Sequence, residues 1–498
     1  MLYMFYCISE FMKSWLKKYH VIIIFSIILL YCWFLLFYQL WYQSFWIDEW
    51  YSSYVAKYMS INWLYKSSYF IFEWMQALFF KLWWISDFWA RFPSVIFQLI
   101  SIVLMYFIPV KFSKNRYLGL FSSLMFWILY WELGWWRDAR FYSLVQCMFL
   151  LWIFLIENWI ESGNIKYLNF SILLTWVGAI FHPFLYCLWV ILVLAFISQY
   201  KKLWDRNLLF SKKYLSMRIV VLLWLIVTIL CGNLYIPFNG SLTSGLSWNM
   251  KKYYFIFYNK HLRSELGVIY VCWILWMLWF IVKRKIKEVI FLLVPFILFL
   301  YALIIKGYLM HSRYALLIFP LMIISTSILV FDVFNALKKK YQKSFFLLLV
   351  ISIILWTAHF QYFPINAYYF DNTSPQPDFK SAYASIPDNS RVISWFPTLC
   401  DWYYAYRWTC SNAIRVDLVF DGKTTIQTKK REKYTKIEYI DSLYELKPWI
   451  YYFVIDDLTS KSWHINWELY DQIAAYWVEN FQSWKWYNSI VVMKVIVE

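Results

Sequence analysis

The chain has 498 residues, a formal net charge of +18, 62% hydrophobic residues and only 15% charged residues. Soluble globular domains contain about 45 to 50% apolar and about 25% charged residues, and the mean hydropathy of this chain is +0.51. The composition excludes a water-soluble protein over most of the length and indicates an integral membrane protein. Much of the positive charge lies in loops between apolar segments, which favours a topology signal over a nucleic-acid-binding surface.

Residues 1 to 363 consist largely of apolar segments that are long enough to cross a bilayer. About 20 apolar residues in a helix span the hydrocarbon layer, and a helix satisfies the backbone polar groups that lipid cannot. The sequence therefore predicts an α-helical polytopic membrane domain with about eleven transmembrane helices. We place these helices near residues 21 to 41, 92 to 110, 117 to 134, 141 to 157, 167 to 182, 184 to 200, 218 to 237, 267 to 282, 289 to 305, 314 to 334 and 344 to 363.

Lysine and arginine cluster before the first span and in alternate loops after it. Short loops rich in these residues stay in the cytoplasm. With eleven spans, this pattern predicts a cell-membrane protein with a cytoplasmic N-terminus and a C-terminal region outside the cytoplasmic membrane. The first span is too long for a signal-peptide core and no cleavage motif follows it, so we predict an uncleaved anchor.

The composition changes after Pro364, where proline and charged residues become frequent. Residues 364 to 498 are therefore predicted to form an extracytoplasmic soluble α/β domain. Segments rich in Val, Ile and Tyr predict strands and one stretch has helical spacing; these are Arg391 to Ser394, Tyr451 to Ile455 and Ser489 to Ile496 for strands, and Trp467 to Phe481 for the helix. Cys400 and Cys410 could pair in an oxidising compartment or remain free thiols.

The first outer loop, residues 42 to 91, carries an acidic pair, Asp48 and Glu49, directly after the first span. Such a pair can simply end a helix in the headgroup layer, or it can supply a general base. The loop continues with two helical, amphipathic stretches that suit the membrane interface, Tyr51 to Met59 and Phe70 to Trp84. The catalytic interpretation gains support from this setting.

A later outer connection places Arg137 and Arg140 on either side of Asp138. The guanidinium group presents a rigid fork that suits phosphate oxygens, and it stays charged. An arginine that merely extends to the headgroups would explain one of the two, but less easily a pair on the outer side. Arg313 lies at the outer end of the tenth span, and His182 marks an outer turn, where a hydrogen-bonded turn residue is the simpler interpretation.

Taken in order, these motifs resemble those of the GT-C glycosyltransferases, of family 39 type. The branch that looks most similar comprises the protein O-mannosyltransferases and the lipid A aminoarabinose transferase. The resemblance rests on four motifs over about the first 330 residues: Asp48-Glu49, Arg91-Phe92-Pro93-Ser94, Arg137-Asp138-x-Arg140-x-Tyr142-Ser143, and Arg313-Tyr314 with Pro320.

The resemblance implies a transferase that moves a hexose or pentose from a polyprenyl-phosphate carrier to a protein, lipid or glycan outside the membrane. It implies catalytic roles for Asp48 and Glu49, donor-phosphate binding by Arg137, Arg140 and Arg313, and possible substrate binding by Glu73, Asp138, Tyr142 and His182. Glu73 matches the family only loosely, because the prolines that often follow there are absent. We predict no tightly bound cofactor or metal, although a divalent cation remains possible, and no nucleic-acid partner.

A flippase, exporter or polymerase of lipid-linked sugars is the alternative function. Many spans with a few intramembrane polar groups also describe such proteins, and transporters are often built from internal repeats broken near the midplane. We see no such repeat, and the motifs lie at one membrane face. This placement favours an enzyme that acts on a lipid-borne substrate.

The chain contains only 10 glycines but 34 tryptophans, whereas glycine usually supplies about 7% of residues. Tryptophan also stands where turns favour glycine, as after Asp48-Glu49, in Arg407-Trp408-Thr409 and in Lys485-Trp486-Tyr487. One hypothesis is that the source reads UGA as glycine and that these codons have been translated as tryptophan. The alternative is a genuine belt of interfacial aromatic residues. No functional role is therefore assigned to a tryptophan.

Overall fold

The structure is a computed structural model of the chain. It describes residues 2–37, 40, 47–61, 70–128, 139–181, 185, 187–199, 267–283, 289–305, 317–337, 339–344, 379–388, 390–394, 414–416, 438–440, 448–456, 481–487 and 490–497, with single positions between 215 and 263, at 347, 348 and 351, and at 402. The described chain divides into two compact units. The helical unit comprises Met1–Tyr38, Lys66–Met75 and Arg91–Phe363, and the sheet unit comprises Gln39–Tyr65, Gln76–Ala90 and Pro364–Glu498.

The first 340 residues form helices wherever the structure describes regular elements. In chain order they are α1 (Leu2–Phe37), α2 (Ile47–Ile61), α3 (Phe70–Leu82), α4 (Asp87–Ser113), α5 (Arg116–Ile128), α6 (Tyr142–Ser162), α7 (Ile165–Phe181), α8 (Cys187–Ser198), α9 (Val268–Lys283), a π-helical turn (Val289–Leu293), α10 (Val294–Ile305) and α11 (Ile318–Ala336). Long apolar runs explain why helices dominate, since lipid leaves no other partner for the backbone. Helix α4 forms although it contains Pro93 and Pro109.

Among the described residues, four helices are long and apolar enough to cross a membrane: Tyr19–Phe37, Asp87–Ser113, Tyr142–Ser162 and Ile318–Ala336. Three shorter apolar helices are Leu188–Ser198, Ile269–Phe280 and Val289–Tyr301. These helices lie at segments where the sequence predicts spans and make the chain a multi-pass membrane protein. The total of about eleven spans stays a prediction, because 218 to 237 and most of 344 to 363 lie largely outside the described residues.

Packing within the helical unit depends on close approach of small and aromatic side chains. Gly119 of α5 lies against α4, where an added Cβ would come within 2.5 Å of the Tyr106 carbonyl oxygen. The Trp152 indole of α6 donates a hydrogen bond of 2.7 Å to Thr175 of α7. At the end of α6, Glu161 forms ion pairs with Lys111, at 3.1 Å, and with Lys114.

The C-terminal region forms a six-stranded mixed sheet, with strand order β3-β2-β1-β4-β6-β5. The strands are β1 (Arg391–Ser394), β2 (Ile414–Val416), β3 (Glu438–Ile440), β4 (Trp449–Asp456), β5 (Phe481–Tyr487) and β6 (Ile490–Val497). Strands β1 to β4 pair in parallel, whereas β6 pairs antiparallel with both β4 and β5. A short helix, α12 (Phe379–Ala384), precedes β1, and its Tyr383 hydroxyl bonds Ser394 Oγ at 3.0 Å.

The three strands predicted from sequence are present as β1, β4 and β6, with boundaries that differ by at most two residues. The predicted helix at 467 to 481 lies outside the described residues except for Phe481, which begins β5. Cys400 and Cys410 also lie outside the described residues, so their pairing stays a prediction.

Candidate functional site

Helix α2 of the sheet unit carries the acidic pair. The backbone of Asp48 lies in the first turn of this helix, while its side chain is outside the described residues. Glu49, Ser52 and Ser53 are all fully buried. They occupy positions i, i+3 and i+4, and so share one face of the helix. The first half of the buried face of α2 is therefore polar, which sequence amphipathicity alone did not indicate.

The C-terminal half of the same face of α2 is apolar, with Ala56 and Met59 at 0% exposure. A helix that buries a carboxylate and two hydroxyls next to such residues places them in a medium of low dielectric constant, where electrostatic interactions are strong. Burial of a carboxylate costs several kcal/mol by order of magnitude unless it is compensated. Buried carboxylates of this kind are common at functional sites.

Helix α3 contains the second buried acid. Glu73 is 0% exposed, and an acid in so apolar a stretch is costly to bury. Its role in substrate binding stays a prediction. One turn later Gln76 is also fully buried, and its Nε2 donates a hydrogen bond of 2.8 Å to the Ala90 carbonyl. The polar face of α3 thus continues from Glu73 to Gln76.

The start of α4 carries a third carboxylate, Asp87, that is 7% exposed. Ser86 precedes it as an N-cap, with its Oγ 3.4 Å from the Trp89 backbone nitrogen. One Asp87 oxygen accepts a hydrogen bond of 3.0 Å from Trp402 Nε1, and the other lies 3.6 Å from Lys380 Nζ. Lys57 of α2 places its ammonium 5.7 Å from the Trp402 ring centroid. Asp87 thereby connects residues 76 to 90 of the sheet unit with Lys380 and Trp402, about 300 residues later in the chain.

The arginine motif of the helical unit is described from Ala139 onward. Arg140 is 6% exposed, and its guanidinium carbon lies 5.2 Å from the ring centroid of Phe141 and 5.9 Å from that of Tyr142. The Arg140 carbonyl accepts a hydrogen bond of 3.1 Å from Ser94 of α4. This bond joins the second and third motifs of the resemblance, Arg91-Phe92-Pro93-Ser94 and the run that contains Arg140, and both Arg91 and Ser94 are buried.

A buried guanidinium group has lost much of its hydration. An anion binds to such a group more strongly than to an arginine in water, because the dielectric constant of the surroundings is lower. The anion also replaces the hydrogen bonds to water that the guanidinium group lost on burial. Aromatic rings beside it supply a weaker compensation through cation–π contacts. Arg140 therefore has the surroundings expected of a binding group for a phosphate or another anion.

The remaining predicted site residues lie outside the described residues. They are Arg137, Asp138, His182 and Arg313. Sequence reasoning did not select Gln76, Asp87, Ser52 or Ser53 as site residues, although each is buried. For Asp87 the available signal was a charge among aromatic residues, in Ser86-Asp87-Phe88-Trp89. For the serines and the glutamine, no sequence signal separates them from ordinary surface positions of an amphipathic helix.

Within the part of the chain that the structure describes, no three His, Cys, Asp or Glu side chains lie together as a metal-binding group. Cys32, Cys147 and Cys272 have free thiols. The buried acids of this region, Glu49, Glu73 and Asp87, lie one each on α2, α3 and α4.

The architecture has the GT-C fold, the fold indicated by the motifs. The structure of ArnT from Cupriavidus metallidurans, solved with bound undecaprenyl phosphate, superposes with a TM-score of 0.56. The match covers 96% of this chain and 98% of ArnT at 10% sequence identity. It confirms the resemblance at the level of fold. No protein-family model matches the chain, and no curated protein matches it in sequence.

Proposed function

We propose that the chain is a membrane glycosyltransferase that moves a sugar from a polyprenyl-phosphate carrier to an acceptor outside the cytoplasmic membrane. The observation that carries this proposal is the fold shared with ArnT along nearly the whole of both chains. ArnT was crystallised with undecaprenyl phosphate, a lipid of the class proposed for the donor. The motifs that resemble this group occur in the same chain.

The proposed reaction is a displacement at the anomeric carbon of the donor sugar. Asp48 acts as the general base that takes the proton from the acceptor hydroxyl, with Glu49 as a supporting group. The acceptor oxygen forms the new bond to the anomeric carbon while the bond from that carbon to the phosphate oxygen breaks. Polyprenyl phosphate departs with the electron pair, and attack from the face opposite the phosphate inverts the configuration at the anomeric carbon.

The leaving phosphate gains negative charge as the bond breaks, and cations placed there lower the barrier. Arg140 is the described member of this group, buried and beside Phe141 and Tyr142. Arg137 and Arg313 are proposed to share the role, with Glu73, Asp138, Tyr142 and His182 near the substrates. We also propose the topology of a cytoplasmic N-terminus and of an extracytoplasmic domain over residues 364 to 498.

Turnover of a labelled polyprenyl-phosphate sugar by the purified chain in detergent or liposomes tests the proposal. We expect release of polyprenyl phosphate by the parent, a loss of about 10²- to 10⁴-fold in Asp48→Asn, and a loss of about 10²- to 10³-fold in Arg140→Ala. Lys166→Gln is the control, because this lysine is exposed in the first turn of α7.

The transport alternative predicts a different result in the same liposomes. The intact lipid-linked sugar would cross the bilayer, no glycosidic bond would break, and Asp48→Asn would transport as fast as the parent. That outcome would overturn the enzyme assignment and the role of Asp48 together.

A further inference from the structure

A cavity of about 500 Å³ opens in the helical unit between α5, the last turns of α11 and the helical residues after Lys339. Its walls are mainly apolar and include Phe121, Val330, Phe331, Phe334 and Leu347. The volume lies in the range of small-molecule sites, about 300 to 1,000 Å³. We call this cavity the basic-face groove, for the charges at its rim.

The groove runs along α11 between Asn335, which is exposed, and Ser327, which is buried. These two positions are eight residues apart, which corresponds to a length of about 12 Å along the helix at 1.5 Å per residue. The Ser327 hydroxyl donates to the Ile323 carbonyl of its own helix at 2.7 Å. Because the Ser327 hydroxyl is bonded to the helix backbone, the buried part of the groove is suited to a hydrocarbon chain.

The rim of the groove is polar and positively charged. Lys343 Nζ lies 5.2 Å from the ring centroid of Phe334, a wall residue. Tyr117, also in the wall, shares a hydrogen bond of 2.6 Å with His20. Arg116 precedes Tyr117 in the chain and is exposed, as are Lys339 and Lys340.

Glu161, one of the described acids at this end of the unit, pairs with Lys111 and Lys114. Asp332 accepts a hydrogen bond of 3.3 Å from Trp279 Nε1 of α9. It keeps its single negative charge, against the four basic side chains named at the rim. The rim of the basic-face groove therefore carries a net positive charge, and its walls are mainly apolar.

We propose that the basic-face groove binds one anionic phospholipid, with an acyl chain along α11 and the phosphate beside Lys343. The acyl chain is as well solvated by the bilayer as by the groove, so the selectivity comes from the head group. Each lysine near an anionic head group contributes a factor of about five in affinity. The site is separate from the motifs assigned to glycosyl transfer, and it makes the lipid a structural ligand of α5 and α11.

Native mass spectrometry of the full chain, exchanged into equal amounts of phosphatidylglycerol and phosphatidylcholine with identical chains, tests the site. We expect preferential retention of one phosphatidylglycerol. Lys343→Gln should lower the preference about fivefold, while Lys166→Gln, at an exposed lysine in the first turn of α7, should not change it. Val330→Phe fills the groove and should remove the bound lipid, whereas Val190→Phe, on an exposed position of α8, should not.

Equal retention of the two lipids overturns the proposal, and so does an equal loss of preference in Lys343→Gln and Lys166→Gln. Displacement of phosphatidylglycerol by an equal amount of polyprenyl phosphate also overturns it, because the groove would then be a site for the carrier. Should Val330→Phe fail to fold, the two lysine variants decide the question alone.

Discussion

The helical unit and the sheet unit satisfy their buried polar groups in different ways. In the helical unit, Thr175, Ser325 and Ser327 each donate to the carbonyl one turn earlier in their own helix, at 2.7, 2.6 and 2.7 Å. In the sheet unit, Asp87 accepts a hydrogen bond from Trp402, which follows 315 residues later. These hydroxyls are thus satisfied within their own helix, while other bonds of the helical unit join helices, such as Ser94 to Arg140 across 46 residues of chain. The Asp87 bond of the sheet unit spans a much longer separation, 315 residues.

The two units also differ in what surrounds them. Lipid tails are as apolar as a protein core, so helices in a membrane associate mainly through packing and hydrogen bonds. The sheet of the other unit is predicted to face water, where burial of apolar surface adds the transfer free energy. The same aromatic side chain should therefore stabilise the two units by different amounts.

Truncation of a buried phenylalanine in each unit tests this difference and gives the largest expected effect. Phe453 of β4 is 3% exposed and Phe149 of α6 is 0% exposed. We expect Phe453→Ala to lower the free energy of unfolding by about 3 to 5 kcal/mol. The substitution removes the transfer free energy of the buried ring and also leaves a cavity. Phe149→Ala should cost about 1 to 2 kcal/mol, because packing contacts alone are lost.

Hydrogen exchange of the full chain in micelles, read at β4 and at α6, measures both costs. Phe170→Ala is the control for the helical unit, since Phe170 is 60% exposed on α7. Equal losses for Phe453→Ala and Phe149→Ala would contradict the comparison and would mean that the two cores face equivalent surroundings.

Removal of the Asp87 carboxylate tests the non-local character of the sheet unit. Asp87→Ala leaves the Trp402 N–H without its acceptor and Lys380 without its counter-ion, so we expect a loss of about 2 kcal/mol. Lys380→Ala should cost less than about 1 kcal/mol, because the Lys380 side chain is 40% exposed and solvated. Exchange at β1 reports both effects.

The location of the faster hydrogen exchange in Asp87→Ala distinguishes loss of the long-range bond from a simple helix-cap effect. Asp87 also stands in the first turn of α4, where a carboxylate favours the helix dipole. If Asp87→Ala raised exchange only in the first turn of α4 and left Arg391–Ser394 protected, the long-range connection would be unimportant.

The contrast between local and non-local structure also decides what the sequence could predict. Helices α4 and α6 follow from apolar length alone, and β1, β4 and β6 follow from runs of Val, Ile and Tyr. For Glu73 the sequence signal was a charge in an apolar stretch, where burial is costly. Arg140 was selected as a phosphate-binding group, and its burial was not predicted. The pairing of Asp87 with Trp402 and the bond from Ser94 to Arg140 carry no local signal, since the chain separations are 315 and 46 residues.

The identity of the tryptophans bears on both units. Trp402 donates to Asp87 in the sheet unit, and Trp152 donates to Thr175 in the helical unit. Among the described non-glycine residues only Lys114 has a positive φ, so the backbone does not require glycine at any tryptophan that the structure describes. The support for recoded UGA codons therefore comes from the composition and from turn positions outside the described residues, such as Trp408.

Intact mass and peptide mapping of the chain, expressed in its source, test the recoding hypothesis. Glycine at many of the 34 tryptophan positions predicts a mass far below 61.3 kDa. In that case Asp87 would keep Lys380 but lose its indole donor, and Asp87→Ala would cost less than predicted above. A mass of 61.3 kDa, with UGG at these codons, would show that the tryptophans are genuine.

The smallest effect expected is strictly local and belongs to the end of α6. Gly163 has φ of 64°, and its N–H bonds the Trp159 carbonyl at 2.8 Å. An added Cβ meets nothing within 4 Å, so Gly163→Ala is penalised by backbone conformation alone. We expect a cost of about 1 kcal/mol, with faster exchange in the last turn of α6. Gly163→Asn should cost less, because asparagine tolerates the left-handed region. Equal costs for Ala and Asn, or faster exchange spread over α7, would show that this turn is held by packing rather than by its own backbone, and the helical unit would then be less local than its hydroxyl bonds indicate.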